Sequence, residues 1–131
     1  MPLEHLNPNE LAKPGAYTQV VRAQGATSVY IAGQVATDAG GNLVGPGDFE
    51  AQARRAYQNV ADALASVGAS FDQVAKTTVY IVDYSPAVFD ALIRARLSVI
   101  KGKLPANTLI GVQALAAPEY LIEVEAVAIL D

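Results

Sequence analysis

The chain has 131 residues, a length that fits a single domain spanning residues 1–131. It contains no cysteine, which excludes disulfides and thiolate chemistry. Its net charge of −4, with no cluster of lysine or arginine, argues against nucleic-acid binding, because neutralising phosphates requires cations. Hydrophobic residues make up 52% of the chain, which indicates a core rich in alanine and valine, apolar surface buried against other subunits, or both; we expect both.

The sequence also bears on location and on metals. The N-terminus lacks the pattern of a secretory signal, and no apolar run approaches the roughly 20 residues that span a membrane. We therefore expect a cytoplasmic protein with no membrane partner. The single histidine, His5, has no cluster of ligating partners nearby in sequence, so no metal site is predicted.

The first third of the chain predicts two strands. Residues 1–16 are expected to be irregular because prolines recur along them. Residues 17–23 and 28–33 are rich in β-branched and aromatic side chains, which predicts a hairpin. Glycine and proline at five positions predict a loop over residues 37–48. Residues 43–44 are a candidate for a short strand within this loop.

A long amphipathic helix follows. Asp48 is its predicted N-cap, and apolar side chains recur every three or four residues as far as about Val67, with Gly68 just beyond the end. Glu50 and Arg54 lie four residues apart on the outer face, in the orientation that favours an ion pair.

A turn at residues 70–72 leads into residues 76–82, whose nearly continuous apolar character predicts a central strand. A second helix is predicted to begin at Ser85 as N-cap and Pro86 as first helical residue. We expect it to end near Gly102.

Two further strands are predicted around residues 108–114 and 120–130. The resulting order, β-β-α-β-α-β-β, predicts an α+β fold with a mixed sheet and both helices on one face. In the last strand, Val127 and Ile129 point to the face away from the helices. Burial between subunits accounts for apolar residues there better than exposure does.

Six short motifs occur in order along nearly the whole chain. They are Gly15-Ala16-Tyr17-Thr18-Gln19, Ile31-Ala32-Gly33-Gln34, Gln52-Ala53-Arg54 with Asn59-Val60, residues 74–80 with Asp83, Pro105-Ala106, and residues 122–128. This ordered set resembles the Rid family (reactive intermediate deaminase, YjgF-like, endoribonuclease L-PSP-like). The resemblance implies a chorismate-mutase-like homotrimer, with three sheets forming a central barrel, helices outside, and a small-molecule cleft at each subunit interface. It also implies hydrolysis of enamines or imines to keto acids and ammonia, without a cofactor.

The resemblance further implies a set of site residues. The ligand-binding positions are Tyr17, Ala32, Gly33, Ala91, Asn107, Thr108 and Leu109, and Glu123 is the candidate catalytic residue that positions water. In active members an arginine two residues after the proline pairs with the substrate carboxylate, and here that position is Asn107. A neutral amide lacks the charged fork that suits a carboxylate, so a pocket without fixed positive charge and a non-standard, uncharged ligand are expected. Arg94 is the first candidate for a compensating cation, with Arg96 and Arg22 behind it.

Each of these residues also has a structural interpretation. Glu123 and Glu125 could form interface or strand-edge ion pairs, Tyr17 could be a packing residue, and Arg94 could be an exposed helix arginine. Three functions therefore compete. The chain could be a divergent imine or enamine deaminase, or a non-catalytic metabolite-binding or regulatory trimer. An RNA-directed endoribonuclease or translation inhibitor is disfavoured by the acidic charge and the isolated His5.

Overall fold

In the computed structural model, which describes residues 3–131, two helices cover one face of a four-stranded sheet. The α+β class and the packing of both helices on one face are as predicted. The elements are β1 (Leu3–Leu6), β2 (Val20–Ala23), β3 (Thr27–Gln34), α1 (Phe49–Ala65), a 3-10 turn (Phe71–Gln73), β4 (Val74–Val82), α2 (Pro86–Val99), β5 (Ala106–Val112) and β6 (Ile122–Leu130).

Both helices begin at the predicted caps. The Asp48 carboxylate accepts a hydrogen bond from the backbone N–H of Ala51 at 3.1 Å, and Ser85 Oγ accepts one from Val88 at 3.3 Å. These bonds satisfy N–H groups that the first helical turn leaves without a partner. Gly68 has a φ of +74°, as expected of a glycine just past a helix end, although α1 itself ends at Ala65.

The main sheet has the strand order β3-β6-β4-β5. β4 is parallel to β5, with α2 as the crossover between them, and β6 is antiparallel to both β3 and β4. The predicted central position of β4 is confirmed, since it has a neighbour on each side. β5 is an edge strand of this sheet.

The core lies between the helices and this sheet. It is formed mainly by alternate residues of β4 and β6 and by the inner side of α1; its fully buried members include Tyr57, Val60, Leu64, Val79, Ile81, Ile122, Val124 and Ala128. Gln52 is also fully buried and ties α1 to two loops. Its amide donates to the carbonyls of Gly45 and Glu119 at 3.2 and 3.1 Å and accepts from the backbone N–H of Leu121 at 3.0 Å.

The opposite face of the sheet has no covering element among the described residues. Tyr30 of β3 is 77% exposed there, opposite Val127 of β6, and Ile110 of β5 is exposed as well. Apolar side chains therefore occupy an open sheet face, as the pattern of the last strand predicted.

Three expectations for the N-terminal third were wrong. Residues 3–6, expected to be irregular, form β1, which pairs antiparallel with β2 in a separate two-stranded sheet. The second prediction was a hairpin of residues 17–23 with 28–33, but β2 pairs with β1, and β3 pairs with β6. The short strand at residues 43–44 is only an isolated bridge between Thr37 and Leu43.

No helix of residues 3–131 is long and apolar enough to cross a membrane.

Candidate functional site

A cavity of about 420 Å³ opens between α2, β5 and the segment that precedes β2. This volume falls in the range of small-molecule sites, roughly 300–1,000 Å³. Its lining is mostly apolar and comprises Gly15, Ala16, Tyr17, Phe89, Ile93, Arg96, Asn107 and Leu109. Three of the predicted ligand-binding residues, Tyr17, Asn107 and Leu109, therefore lie around one cavity.

The segment of residues 15–18 is fixed along the start of β5. The Thr18 backbone N–H donates to the carbonyl of Pro105 at 3.0 Å, and the Thr18 hydroxyl donates to the carbonyl of Leu104. Thr18 also forms an isolated parallel bridge with Ala106. These bonds fix the backbone next to Tyr17, whose hydroxyl accepts a hydrogen bond from Gln19 Nε2 at 3.3 Å. Tyr17 is therefore held as a wall of the cavity.

Asn107 contributes a polar group from β5. Its side chain points to the helix side of the sheet, where its amide oxygen accepts a hydrogen bond from the Thr77 hydroxyl at 2.7 Å. With the oxygen engaged by Thr77, the NH₂ group is the part of the side chain left to donate to a ligand. Leu109, two residues along the strand, adds an apolar surface on the same side.

α2 presents Phe89, Ile93 and Arg96 to the cavity, at the four- and three-residue spacing of one helix face. Arg96 is only 4% exposed. Its Nε donates to the Tyr57 hydroxyl at 2.9 Å, and its Nη1 donates to the carbonyl of Ala16 at 3.0 Å. Its guanidinium carbon also lies 5.9 Å from the centre of the Tyr57 ring, within the range of a cation–π contact.

The Arg96 charge is not balanced within the described chain. No Asp or Glu of residues 3–131 forms an ion pair with it, and its buried Nη2 has no hydrogen-bond partner. Burial raises the pKa of the Tyr57 hydroxyl, outweighing the lowering effect of Arg96, so the phenol is neutral and only solvates the cation. A pocket without fixed positive charge was expected, and that expectation is wrong.

The other predicted residues lie on the opposite face of the sheet. Glu123 projects there from β6, opposite Tyr80 of β4. The Glu123 carboxylate packs against the backbone of Gly33. A Cβ at position 33 would overlap this carboxylate, so the close contact requires a glycine there. Ala32 is exposed next to Gly33. Within one chain, then, the glutamate and the cavity are on different sides of the sheet.

A small polar network surrounds Glu123 on this face. The Tyr80 hydroxyl donates to Glu125, and this bond, together with burial and the nearby glutamate charges, raises the pKa of Tyr80. Thr108, on the same face, accepts a hydrogen bond from Lys76 Nζ at 2.7 Å. Glu125 and Thr108 therefore have partners within the chain, whereas Glu123 makes no ion pair among the described residues.

The structure places Arg94 and Ala91 away from the cavity. Arg94 forms an exposed ion pair with Glu50 at 2.8 Å, and Glu50 also forms the predicted pair with Arg54 at 2.8 Å. Both arginines hold the pKa of Glu50 below its usual value, with the Arg94 hydrogen bond as the largest cause. Ala91 is two residues from Phe89 and from Ile93, about 200° around the helix. Arg96, not Arg94, is the arginine at the cavity.

One signal in the sequence could have identified Arg96. It lies four residues after Leu92, a buried position of α2, and beside Ala95, so it falls on the inner side of the helix. Arg94 is on the outer side.

No group of three or more His, Cys, Asp or Glu residues among residues 3–131 is arranged to hold a metal ion.

Comparisons with known proteins agree on one family. Residues 7–130 match the family described as Endoribonuclease L-PSP. The chain is 31% identical over 115 residues to 2-iminobutanoate/2-iminopropanoate deaminase of Mus musculus, covering 88% of this chain and 82% of that protein. It is 34% identical over 116 residues to the Homo sapiens protein of the same name, covering 88% and 80%.

A solved structure is also similar over the full length. The Yersinia pestis protein YyfB, described as a protein of unknown function of the conserved Rid protein family, superposes with a TM-score of 0.94 at 36% identity. The match covers 99% of this chain and 100% of that one. The whole fold, including the separate β1–β2 sheet, is therefore one that this family adopts.

Proposed function

The chain belongs to the Endoribonuclease L-PSP family, also called Rid, and from this membership and the geometry of its cavity we propose that it hydrolyses the C=N bond of small imines, including those formed by tautomerisation of enamines. The observation that carries the proposal is the fixed arrangement of Tyr17 and Asn107 around a small-molecule cavity. Relatives at 31% and 34% identity are named as deaminases of 2-iminobutanoate and 2-iminopropanoate.

A complete site requires a second copy of the chain. The cavity of one copy holds Tyr17 and Asn107, and the open sheet face holds Glu123, Gly33 and Ala32. We propose a homotrimer in which the sheet face of one subunit closes the cavity of its neighbour, so that Glu123 faces the bound imine. The exposed Tyr30, which pairs with Val127 on that face, supports this arrangement, because contact with a neighbouring subunit would remove the ring from water.

The reaction proposed for this site is a simple hydrolysis. Water held by the Glu123 carboxylate attacks the imine carbon, and the carboxylate accepts a proton from the water as the new C–O bond forms. The protonated Glu123 returns this proton to the imine nitrogen, which gives a carbinolamine. The carboxylate then takes the hydroxyl proton of the carbinolamine and passes it to the nitrogen as the C–N bond breaks, which releases ammonia and a carbonyl compound with the net addition of one water. General base assistance of this kind contributes typically 10²- to 10⁴-fold, by order of magnitude.

The test uses imines made in situ. An amino-acid oxidase generates them, semicarbazide traps those that survive, and a decrease in semicarbazone with added protein measures hydrolysis. We expect the wild-type protein to lower the semicarbazone yield. Glu123→Gln should lose roughly 10²-fold or more in rate, because an amide cannot accept the proton. Glu125→Gln, two residues along the same face, is the matched control and should keep the wild-type rate.

Equal rates in Glu123→Gln and wild type would refute the role of Glu123. An absence of hydrolysis across acidic, polar and apolar amino acids would refute the enzyme and favour a non-catalytic trimer that binds a metabolite. An RNA-directed activity is disfavoured by the net charge of −4 and by the pairing of Arg22, Arg54 and Arg94 with glutamates.

A further inference from the structure

We propose that Arg96 is the carboxylate-binding residue of this cavity, so that the ligand is a small carboxylate-bearing molecule and not a neutral one. The proposal deepens the proposed function by naming the class of its substrate. It rests on the burial of Arg96, its unmatched charge and its place in the cavity lining, and it assigns the positive charge to α2 instead of β5.

The hydrogen bonds of Arg96 leave several of its donors without a partner in the described chain. A guanidinium has five N–H donors. The Tyr57 hydroxyl takes one on Nε and the Ala16 carbonyl takes one on Nη1, so both N–H groups of Nη2 and one of Nη1 have no partner in the described chain. Two adjacent nitrogens in one plane are the geometry that holds a carboxylate with two parallel hydrogen bonds.

Burial of the Arg96 guanidinium with unpaired donors is energetically unfavourable unless an anion pairs with it. Taking a charged group out of water costs several kcal/mol if no partner compensates it. Tyr57 and the Ala16 carbonyl are neutral acceptors and do not cancel the charge. A carboxylate in the cavity would cancel it and would satisfy the remaining donors. The same anchoring bonds hold the guanidinium in place before the ligand arrives, which reduces the entropy lost on binding.

The rest of the lining sets the size and polarity of the ligand. Phe89, Ile93 and Leu109 provide apolar walls, which suit a short aliphatic chain. The free NH₂ group of Asn107 can donate one further hydrogen bond, either to the carboxylate or to the neighbouring carbonyl or imine. A 2-oxo or 2-imino acid with a small aliphatic side chain combines these features.

Binding of a product-like probe tests the inference separately from catalysis. Calorimetry should show that wild-type protein binds 2-oxobutanoate at least tenfold more tightly than its uncharged analogue 2-oxobutanamide. Arg96→Gln should weaken binding of the acid by at least roughly 10- to 100-fold and leave binding of the amide nearly unchanged, since the loss of even one of the two charged hydrogen bonds corresponds to a factor of that size. Arg94→Gln removes the same charge two residues away and should bind both probes as wild type does.

The wild-type comparison keeps the test decisive even if Arg96→Gln does not fold. Equal binding of acid and amide, or no binding of either, would overturn the inference. The anion could also come from a second copy of the chain. In that case the wild-type protein would not bind 2-oxobutanoate, and Arg96→Gln would change the oligomeric state measured by light scattering. This pair of results would also overturn the inference.

The two proposals fail in different ways. If 2-oxobutanoate binds through Arg96 but imine hydrolysis is absent, the enzyme proposal fails and the carboxylate site stands. If imines are hydrolysed at equal rates whether or not they carry a carboxylate, the enzyme proposal stands and the assignment of Arg96 fails.

Discussion

Removal of one oxygen atom, in Tyr57→Phe, tests whether Arg96 is a buried charge held by few acceptors. The Tyr57 hydroxyl accepts the Nε–H of Arg96 at 2.9 Å, and the tyrosine is fully buried. Phenylalanine keeps the ring, and with it the apolar packing and the cation–π contact with the guanidinium. The substitution therefore removes a single acceptor and little else.

The expected magnitude follows from that contact. A hydrogen bond to a charged group contributes roughly 1.5–3 kcal/mol, and a buried donor left without a partner costs a similar amount. Nη2 of Arg96 already has no partner, so the variant would strand a second nitrogen of the same group. We expect the free energy of unfolding to decrease by about 1.5–3 kcal/mol.

The measurement should be made at neutral pH, where Tyr57 is not ionised. Burial raises the pKa of Tyr57 above 10.0, so the stability that depends on its neutral form is complete below that pH and is lost only as pH rises through the raised pKa. Urea denaturation at one fixed protein concentration gives the unfolding free energy, since assembly would make stability depend on concentration.

Tyr84→Phe is the matched control, because Tyr84 is exposed and its hydroxyl makes no buried hydrogen bond. It should leave the unfolding midpoint unchanged. A loss below about 0.5 kcal/mol in Tyr57→Phe, which is the usual effect of a surface substitution, would show that Arg96 finds another acceptor. The cost of an uncompensated charge would then no longer argue for an anionic ligand.

Three further predictions use other contacts. Gly33→Ala should displace the Glu123 carboxylate, because its Cβ would overlap that group, and imine hydrolysis should fall while the circular dichroism spectrum stays the same. Gln52→Leu removes three hydrogen bonds of a fully buried amide, so urea denaturation should show a loss of roughly 2–4 kcal/mol. The pKa of Tyr80 is raised mainly by its bond to Glu125, so ultraviolet titration of Glu125→Gln should show one tyrosine that ionises at lower pH than in wild type.

The elements that the sequence predicted well are those with local signals. Asp48 and Ser85 mark the starts of α1 and α2 because a capping side chain acts within three residues of its own position. β4 was predicted to be central from its run of apolar residues, which requires no knowledge of its neighbours.

The N-terminal sheet could not be predicted in the same way. β1 has four residues and pairs with β2 across a connection of thirteen residues that contains Pro8 and Pro14. Nothing in a four-residue segment specifies a partner at that distance. The short separation of the two predicted strands, residues 17–23 and 28–33, favoured a hairpin, but the chain between them passes from one sheet to the other.

Only part of the candidate site was predicted. A family resemblance indicates which positions of the sequence correspond, but not which side chains surround them in the folded chain. Tyr17, Asn107 and Leu109 lie together as expected. Arg94 was predicted to be the compensating cation because it lies three residues after Ala91, on the same side of the helix. The two arginines differ in burial. Arg94 pairs with a glutamate in solvent, whereas Arg96 is buried and donates to a tyrosine hydroxyl inside the protein.

A neutral residue at position 107 avoids a second positive charge in the cavity that Arg96 lines. Both side chains line the same cavity, so arginines at both positions would place two positive charges close together where water is scarce and repulsion is strong. With Asn107 the lining that one chain contributes to the cavity holds one cation, Arg96, and one neutral donor. The absence of an arginine on β5 is therefore no evidence against an anionic ligand, because the charge is supplied from α2.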